Sequence, residues 1–158
     1  MTGFSGAAIT VNEMTNVSGF EVLRSKIYGN GGDGIRGLDD GAYRIEENEI
    51  YANGGDGIDL SEAGSGSVSG LIAGNYIGTN ASGTGSGNGS HGIRLGRNSE
   101  GVVARNNRIW NNSGDGVRLT QDALKKNRIT TDSTQPYYQA GLNAFRNNAG
   151  EPSNQPRP

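Results

Sequence analysis

Asn48-Glu49-Ile50-Tyr51-Ala52-Asn53-Gly54-Gly55-Asp56-Gly57-Ile58-Asp59-Leu60 decides the fold, because its pattern returns along the chain. Tyr28 to Ile35 reads Tyr-Gly-Asn-Gly-Gly-Asp-Gly-Ile, and Trp110 to Val117 reads Trp-Asn-Asn-Ser-Gly-Asp-Gly-Val. A stretched copy ends in His91-Gly92-Ile93. Gly34 and Gly57 are 23 residues apart and Gly92 and Gly116 are 24 apart, whereas Gly57 and Gly92 are separated by 35. The middle copy therefore carries one long loop, near residues 78–91. Self-similarity at this period means one short unit stacked on copies of itself.

Aligning the copies on the isoleucine of each Asn-x-Ile triplet gives the column Ile27, Ile50, Ile77, Ile109 and Ile129. Five residues earlier stand Val22, Ile45, Ile72, Ala104 and Leu124. After each glycine come Ile35 with Gly37, Ile58 with Leu60, Ile93 with Leu95 and Val117 with Leu119. These columns suit inward positions. Ile9 with Val11 precedes the first copy and Leu142 with Ala144 follows the last. Within a copy the apolar residues fall two apart, the strand period. With 28 glycines in 158 residues and many Asn, Asp and Ser, the bends have residues that tolerate positive φ. The chain reads as all-β, a right-handed parallel β-helix (β-solenoid) of about five to six coils, whose strands pair between successive turns ~4.8 Å apart. Right-handedness is preferred to a left-handed hexapeptide prism because the period is not a multiple of six.

Two polar columns accompany the core. Ser25, Asn48, Asn75, Asn107 and Asn127 lie two residues before each isoleucine, and Asn30, Asn53, Asn80, Asn112 and Asp132 lie three after it. Both read as structural ladders in which amides bond those above and below.

The Asn-x-Ile-x-x-Asn-Gly-Gly-Asp-Gly-Ile phrase resembles the right-handed β-helix repeats of the pectin-lyase-like superfamily, which includes polysaccharide lyases, glycoside hydrolases and mannuronan epimerases. Residues 75–93 are similar to a segment of large secreted bacterial β-helix repeat proteins. The resemblance covers about residues 6–130 and implies the fold more firmly than any activity. The Asp-Pro-His-Glu element of the epimerases is missing, and so is the aspartate, histidine and Arg-x-Lys set of the galacturonan hydrolases. An enzyme is therefore not the favoured reading. The weak catalytic set is Tyr76 or His91 as base beside Arg94 and Arg108, with Asp56 or Asp59 in the previous turn, an arrangement suited to β-elimination from a uronate polymer.

Outward positions hold the other candidates. Tyr28, Tyr51, Gly78, Trp110 and Thr130 each follow a core isoleucine, and Tyr76 precedes one. Tyr28, Tyr51, Tyr76 and Trp110 are the candidate ligand-binding residues, for a polysaccharide stacked along an aromatic strip. The alternative is cross-strand shielding worth ~0.2–1 kcal/mol per pair. Asp33, Asp56, His91 and Asp115 share one turn position, and Arg36, Asp59, Arg94 and Arg118 follow the apolar residue after it. Stacked Asp33 and Asp56 repel unless solvated, capped by turn amides or bridged by a cation, and a solvated charged face is the expectation. Gly54 to Leu60 matches a calcium-binding nonapeptide, but such rolls repeat every nine residues. Calcium at Asp33 and Asp56 is the weak metal candidate, and no cofactor is indicated.

A net charge of −2 excludes a strong field for nucleic acid. No apolar run reaches 18 residues and no signal peptide is recognisable, so membrane insertion is not expected. The absence of cysteine excludes disulfides. Asn80, Asn88 and Asn111 fit glycosylation sequons, which chance supplies in so Asn- and Ser-rich a chain. A single β-helix domain over 1–146 is expected, with 147–158 a flexible tail or linker. Met1 to Met14 and residues 131–146, with Tyr137, Tyr138, Leu142 and Phe145, are expected to cap open ends. The functional expectation is a structural or adhesive segment of a larger secreted or cell-surface protein. The alternatives are a polysaccharide-active enzyme or its remnant, and a unit that self-associates through its ends into a fibre.

Overall fold

A computed structural model describes residues 1–12, 19–61, 67–96, 98–120, 128–129 and 143–151. The strands fall into three parallel sheets of five, visited in rotation. The first sheet holds β1 (Ile9–Val11), β4 (Ile35–Gly37), β7 (Ile58–Leu60), β10 (Ile93–Leu95) and β13 (Val117–Leu119). The second holds β2 (Gly19–Leu23), β5 (Gly41–Glu46), β8 (Val68–Ala73), β11 (Ser99–Arg105) and β14 (Arg128–Ile129). The third holds β3 (Lys26–Tyr28), β6 (Glu49–Tyr51), β9 (Tyr76–Ile77), β12 (Arg108–Trp110) and β15 (Ala144–Arg146). Each strand pairs with the strand three places on because the chain passes through all three sheets before returning.

Register turns the repeated apolar residues into columns. Ile27 pairs with Ile50, Ile50 with Ile77 and Ile77 with Ile109, and all four are fully buried. Burying each such side chain is worth about 1.5–3 kcal/mol. The first sheet stacks Ile35, Ile58, Ile93 and Val117 in the same way, and Ile9 with Val11 joins it against Ile35 and Gly37. Gly37 has no side chain because Tyr43 fills that space from the second sheet. A Cβ there would lie 2.7 Å from both the Tyr43 hydroxyl and Leu60 Cδ2. Tyr43 is 1% exposed, and its hydroxyl donates to the Asp39 carbonyl at 2.8 Å.

The bends repeat as faithfully as the strands. Arg24, Glu47 and Asn106 have φ of 46°, 58° and 58°, each at the residue before a polar ladder position, and Gly74 does the same at 66°. A second left-handed corner follows the third sheet at Ala52, Asn111 and Asn147, with φ of 55°, 59° and 51°. Left-handed backbone costs most L-residues roughly 1–2 kcal/mol, less for Asn and nothing for Gly.

Three columns differ from the spacing argument. Ile129 pairs with Ala104 in the second sheet, and Phe145 occupies the isoleucine column against Ile109. Ala144 accordingly stands beside Arg108 in the third sheet rather than extending the first. Residues 147–151 do not leave the coil as a linker. The amides of Ala149 and Gly150 donate to the Asn112 and Gly114 carbonyls, and the Glu151 carbonyl accepts from Gly116.

At the other end Met1 to Ala8 lie along the next turn rather than folding across it, as the bonds from Gly3 to Gly29, Gly31 to Phe4 and Ala8 to Asp33 show. Leu124, Asn127, Thr130, Asp132, Tyr137, Tyr138 and Leu142 lie outside the described residues, as does Met14. Among the described residues no helix is long and apolar enough to cross a membrane.

Candidate functional site

Asparagine ladders fix the two corners that flank the third sheet. Asn48, Asn75 and Asn107 each donate from Nδ2 to the Oδ1 of the next member at 3.0, 2.9 and 2.8 Å, and the last acceptor is Asn143. Ser25 ends the column by donating its backbone N–H to Asn48 Oδ1. Asn143 therefore takes the place expected of Asn127. The second ladder runs through Asn30, Asn53, Asn88, Asn112 and Asn148, with Nδ2 to Oδ1 distances of 2.8, 3.0, 2.9 and 2.9 Å. Asn88, not Asn80, belongs to it, and Asn148 stands where Asp132 was expected. Asn80 instead closes the loop locally by accepting the Thr84 N–H at 3.0 Å.

A third ladder replaces the expected solvated charges. Asp33 Oδ1 accepts the Asp56 N–H at 2.7 Å, and Asp56 Oδ1 accepts that of His91 at 2.7 Å. His91 Nδ1 accepts from Asp115 at 2.8 Å, and Asp115 Oδ1 accepts from Glu151 at 2.8 Å. Asp56 and Asp115 are buried. His91 thus does an aspartate's work, which requires an unprotonated Nδ1 and places the ring proton on Nε2. Gly114 is needed beside it, since a Cβ there would come within 2.6 Å of Nδ1.

Ligand oxygens of Asp33, Asp56 and Asp59 lie within 4.8 Å of one another. Burial, then Asp59 and Asp56, push the Asp33 carboxyl above its usual range, against the opposing hydrogen bond from the Asp56 amide. Asp59 is buried and accepts the Ser61 N–H at 2.8 Å, so it is not part of a solvated charged face. Arg94 reaches back to Asp56 at 3.9 Å instead. The three carboxylates match the oxygen chemistry of calcium, while the Asp56 and Asp59 bonds to amides already satisfy part of their capacity.

The candidate catalytic residues divide between two sheets. Tyr76 and Arg108 are register partners on the third sheet, with the guanidinium 5.1 Å from the ring centre. Arg94 is on the first sheet, in register with Asp59 and Arg118, and His91 precedes it at the bend.

The aromatic candidates also divide. Tyr28 and Tyr51 stack with centroids 5.1 Å apart and planes within 4°, so each covers one face of the other. Gly78 and the loop after it interrupt the column before Trp110. Tyr76 lies in the adjacent outward column with Lys26, Glu49 and Arg108. Trp110 meets Arg146 at 5.4 Å and Arg108 at 5.9 Å from its ring. The arrangement is a tyrosine pair near one end and an arginine–aromatic cluster near the other.

Spacing did not reveal a shallow groove of about 510 Å³ on the outer second sheet. Small residues Gly19, Ala42 and Gly70 form its floor, beside Glu21, Arg44 and Leu71. A Cβ at Gly70 would strike the Tyr43 carbonyl, at 2.0 Å, which keeps the floor bare.

The family described as "Right handed beta helix region" matches residues 8–152. The chain belongs to the right-handed β-helix family. No curated protein and no solved structure matches it. Family membership accounts for the β-helix path and its handedness, and the pectin-lyase-like superfamily is compatible with both. The matched range also takes in residues 143–151, which continue the hydrogen-bonded coil.

Proposed function

We propose that this β-helix is a structural or adhesive segment of a secreted or cell-surface protein, and that it holds a polysaccharide on its third sheet. The observation that carries the reading is the outward placement of Tyr28, Tyr51 and Trp110 on strands β3, β6 and β12, along one side of the solenoid. Three ladders and a continuous apolar core favour a stiff support. Saccharide C–H faces pack on exposed rings, and phenol and indole groups supply hydrogen bonds. The tyrosine stack leaves ring edges, hydroxyls and outer faces for such contact.

A glycan array read with the parent chain, Tyr51→Ala and Trp110→Ala tests this directly. Retention by the parent that falls in either variant, with the circular dichroism spectrum unchanged, supports the role. Equal retention by all three proteins removes the aromatic side from it. Depletion of an array ligand into unsaturated products, abolished by Tyr76→Phe, would instead favour the enzyme.

A further inference from the structure

In the outward column of the third sheet Tyr28 and Tyr51 are register partners, and their rings stack with centroids 5.1 Å apart and planes within 4°. Parallel pairing repeats the backbone from one turn to the next, and the near-parallel rings bring the two phenols face to face. Both rings reach the surface, for Tyr28 is 36% exposed and Tyr51 is half-buried. The pair is also isolated. Tyr76 lies between Glu49 and Arg108 in its own column, and Gly78, which follows β9, brings no ring to the far side of Tyr51. Tyr43 is buried, with its hydroxyl bonded to the Asp39 carbonyl.

Phenols placed face to face have a chemistry that isolated ones lack. A one-electron oxidant of the peroxidase class, acting with hydrogen peroxide, takes one electron and one proton from each hydroxyl and leaves two phenoxyl radicals. Their unpaired spin is shared with the ring carbons ortho to oxygen. A carbon–carbon bond forms between two such carbons, and the proton on each moves to its phenoxyl oxygen to restore both aromatic rings. The protein loses two hydrogen atoms, and hydrogen peroxide becomes two waters. Held on neighbouring strands, each radical meets the other at an effective concentration of about millimolar or more, roughly a thousandfold above a second molecule at micromolar concentration. The side-chain rotations that close the gap between exposed rings take picoseconds to nanoseconds.

We propose that Tyr28 and Tyr51 are an oxidative modification site, at which a dityrosine bond ties β3 to β6. Such a bond joins positions 23 apart in sequence and restricts the unfolded chain as a disulfide does. The sequence has no cysteine, so no disulfide can supply this tie. The site is independent of the saccharide reading, because Tyr51→Phe keeps the ring on which a sugar packs and removes the hydroxyl that coupling needs.

The chain at low micromolar concentration is treated with peroxidase and hydrogen peroxide, then separated into monomer and covalent dimer. The expected monomer has lost two hydrogen atoms and shows the blue fluorescence of dityrosine. After trypsin it yields a joined pair of peptides, one carrying Tyr28 and the other Tyr51. Arg36 and Arg44 lie between the two tyrosines, so only a cross-link holds these peptides together. Tyr51→Phe should reduce dityrosine in the monomer roughly tenfold or more, while Tyr76→Phe should match the parent chain. Dityrosine confined to covalent dimers, or formed equally in Tyr51→Phe, overturns the proposal. So does a Tyr28 and Tyr51 pair left unmodified under conditions that couple free tyrosine.

Discussion

Asn53 donates from Nδ2 to Asn88 Oδ1 at 3.0 Å across 35 residues of sequence, so one ladder rung spans the long loop. The same Oδ1 accepts the Asn53 backbone N–H at 3.3 Å. Removing Asn88 strands two donors in a buried corner. Asn88→Ala should cost about 2–3 kcal/mol in urea unfolding, whereas Asn80→Ala should stay within about 0.5 kcal/mol. Equal losses at the two positions would contradict the ladder assignment.

Gly37 and Tyr43 share one space. Gly37→Ala should cost about 1–3 kcal/mol because its methyl meets the Tyr43 ring and Leu60. In a Tyr43→Leu background the added penalty should shrink, and a double-mutant cycle measures the difference. Strict additivity would place the obstruction elsewhere.

His91 serves as an acceptor, so an aspartate there should serve equally. His91→Asp is expected to hold stability within about 1 kcal/mol, and His91→Ala to lose about 1–2 kcal/mol with the Asp115 amide unpaired. Amide exchange at Asp115 should accelerate in the alanine variant alone.

Asp33 carries a pH signature. Its folded carboxyl is raised by burial and by the neighbouring Asp59 and Asp56 charges, so the folded state holds a proton that the unfolded state has released. The contribution of this group to stability therefore falls as pH rises from the ordinary carboxyl value of 3.8 through the raised folded value. Asp33→Asn keeps an oxygen for the Asp56 amide and removes the charge. It should stabilise the fold at neutral pH and remove the loss of stability across that pH window, so that the acid limb of a stability-versus-pH curve rises more steeply; an unchanged or flatter limb would refute the assignment.

Ala52 holds φ at 55° where Asn111 holds 59°. Ala52→Gly should relieve about 1 kcal/mol of left-handed strain, less the added freedom of the unfolded chain. A small rise in the unfolding midpoint is the expected reading.

Much of the fold was legible because a parallel solenoid converts sequence period into spatial register. The isoleucine column from Ile27 to Ile109 is written in the spacing of the Asn-x-Ile triplets alone. It failed at the last copy, where Asn143, Phe145, Asn148 and Glu151 keep the spacing of Asn107, Ile109, Asn112 and Asp115 but replace the isoleucine and the aspartate. Asn127-Arg128-Ile129 offered a better match to the triplet and the wrong sheet.

The loop caused the other slip, since counting forward from Ile77 reaches Asn80. Counting back four residues from Gly92 reaches Asn88, as it reaches Asn30, Asn53 and Asn112 from their glycines. The Arg146–Trp110 contact was hidden for the same reason as Phe145: without the last register, residues 36 apart had no reason to meet. The aspartate column was visible, but burial and the bonded amides that tame its charge belong to the third dimension.

Every rung of both asparagine ladders points the same way, with the Nδ2–H of an earlier turn aimed at the Oδ1 of a later one. Aligned amides polarise one another and add as vectors. The cylinder therefore has an electrical direction, with partial positive charge gathered toward the turn that holds Asn143 and Asn148. Arg146 stands on that turn, so the side chain and the amide rows bias the same end of the molecule toward negative charge.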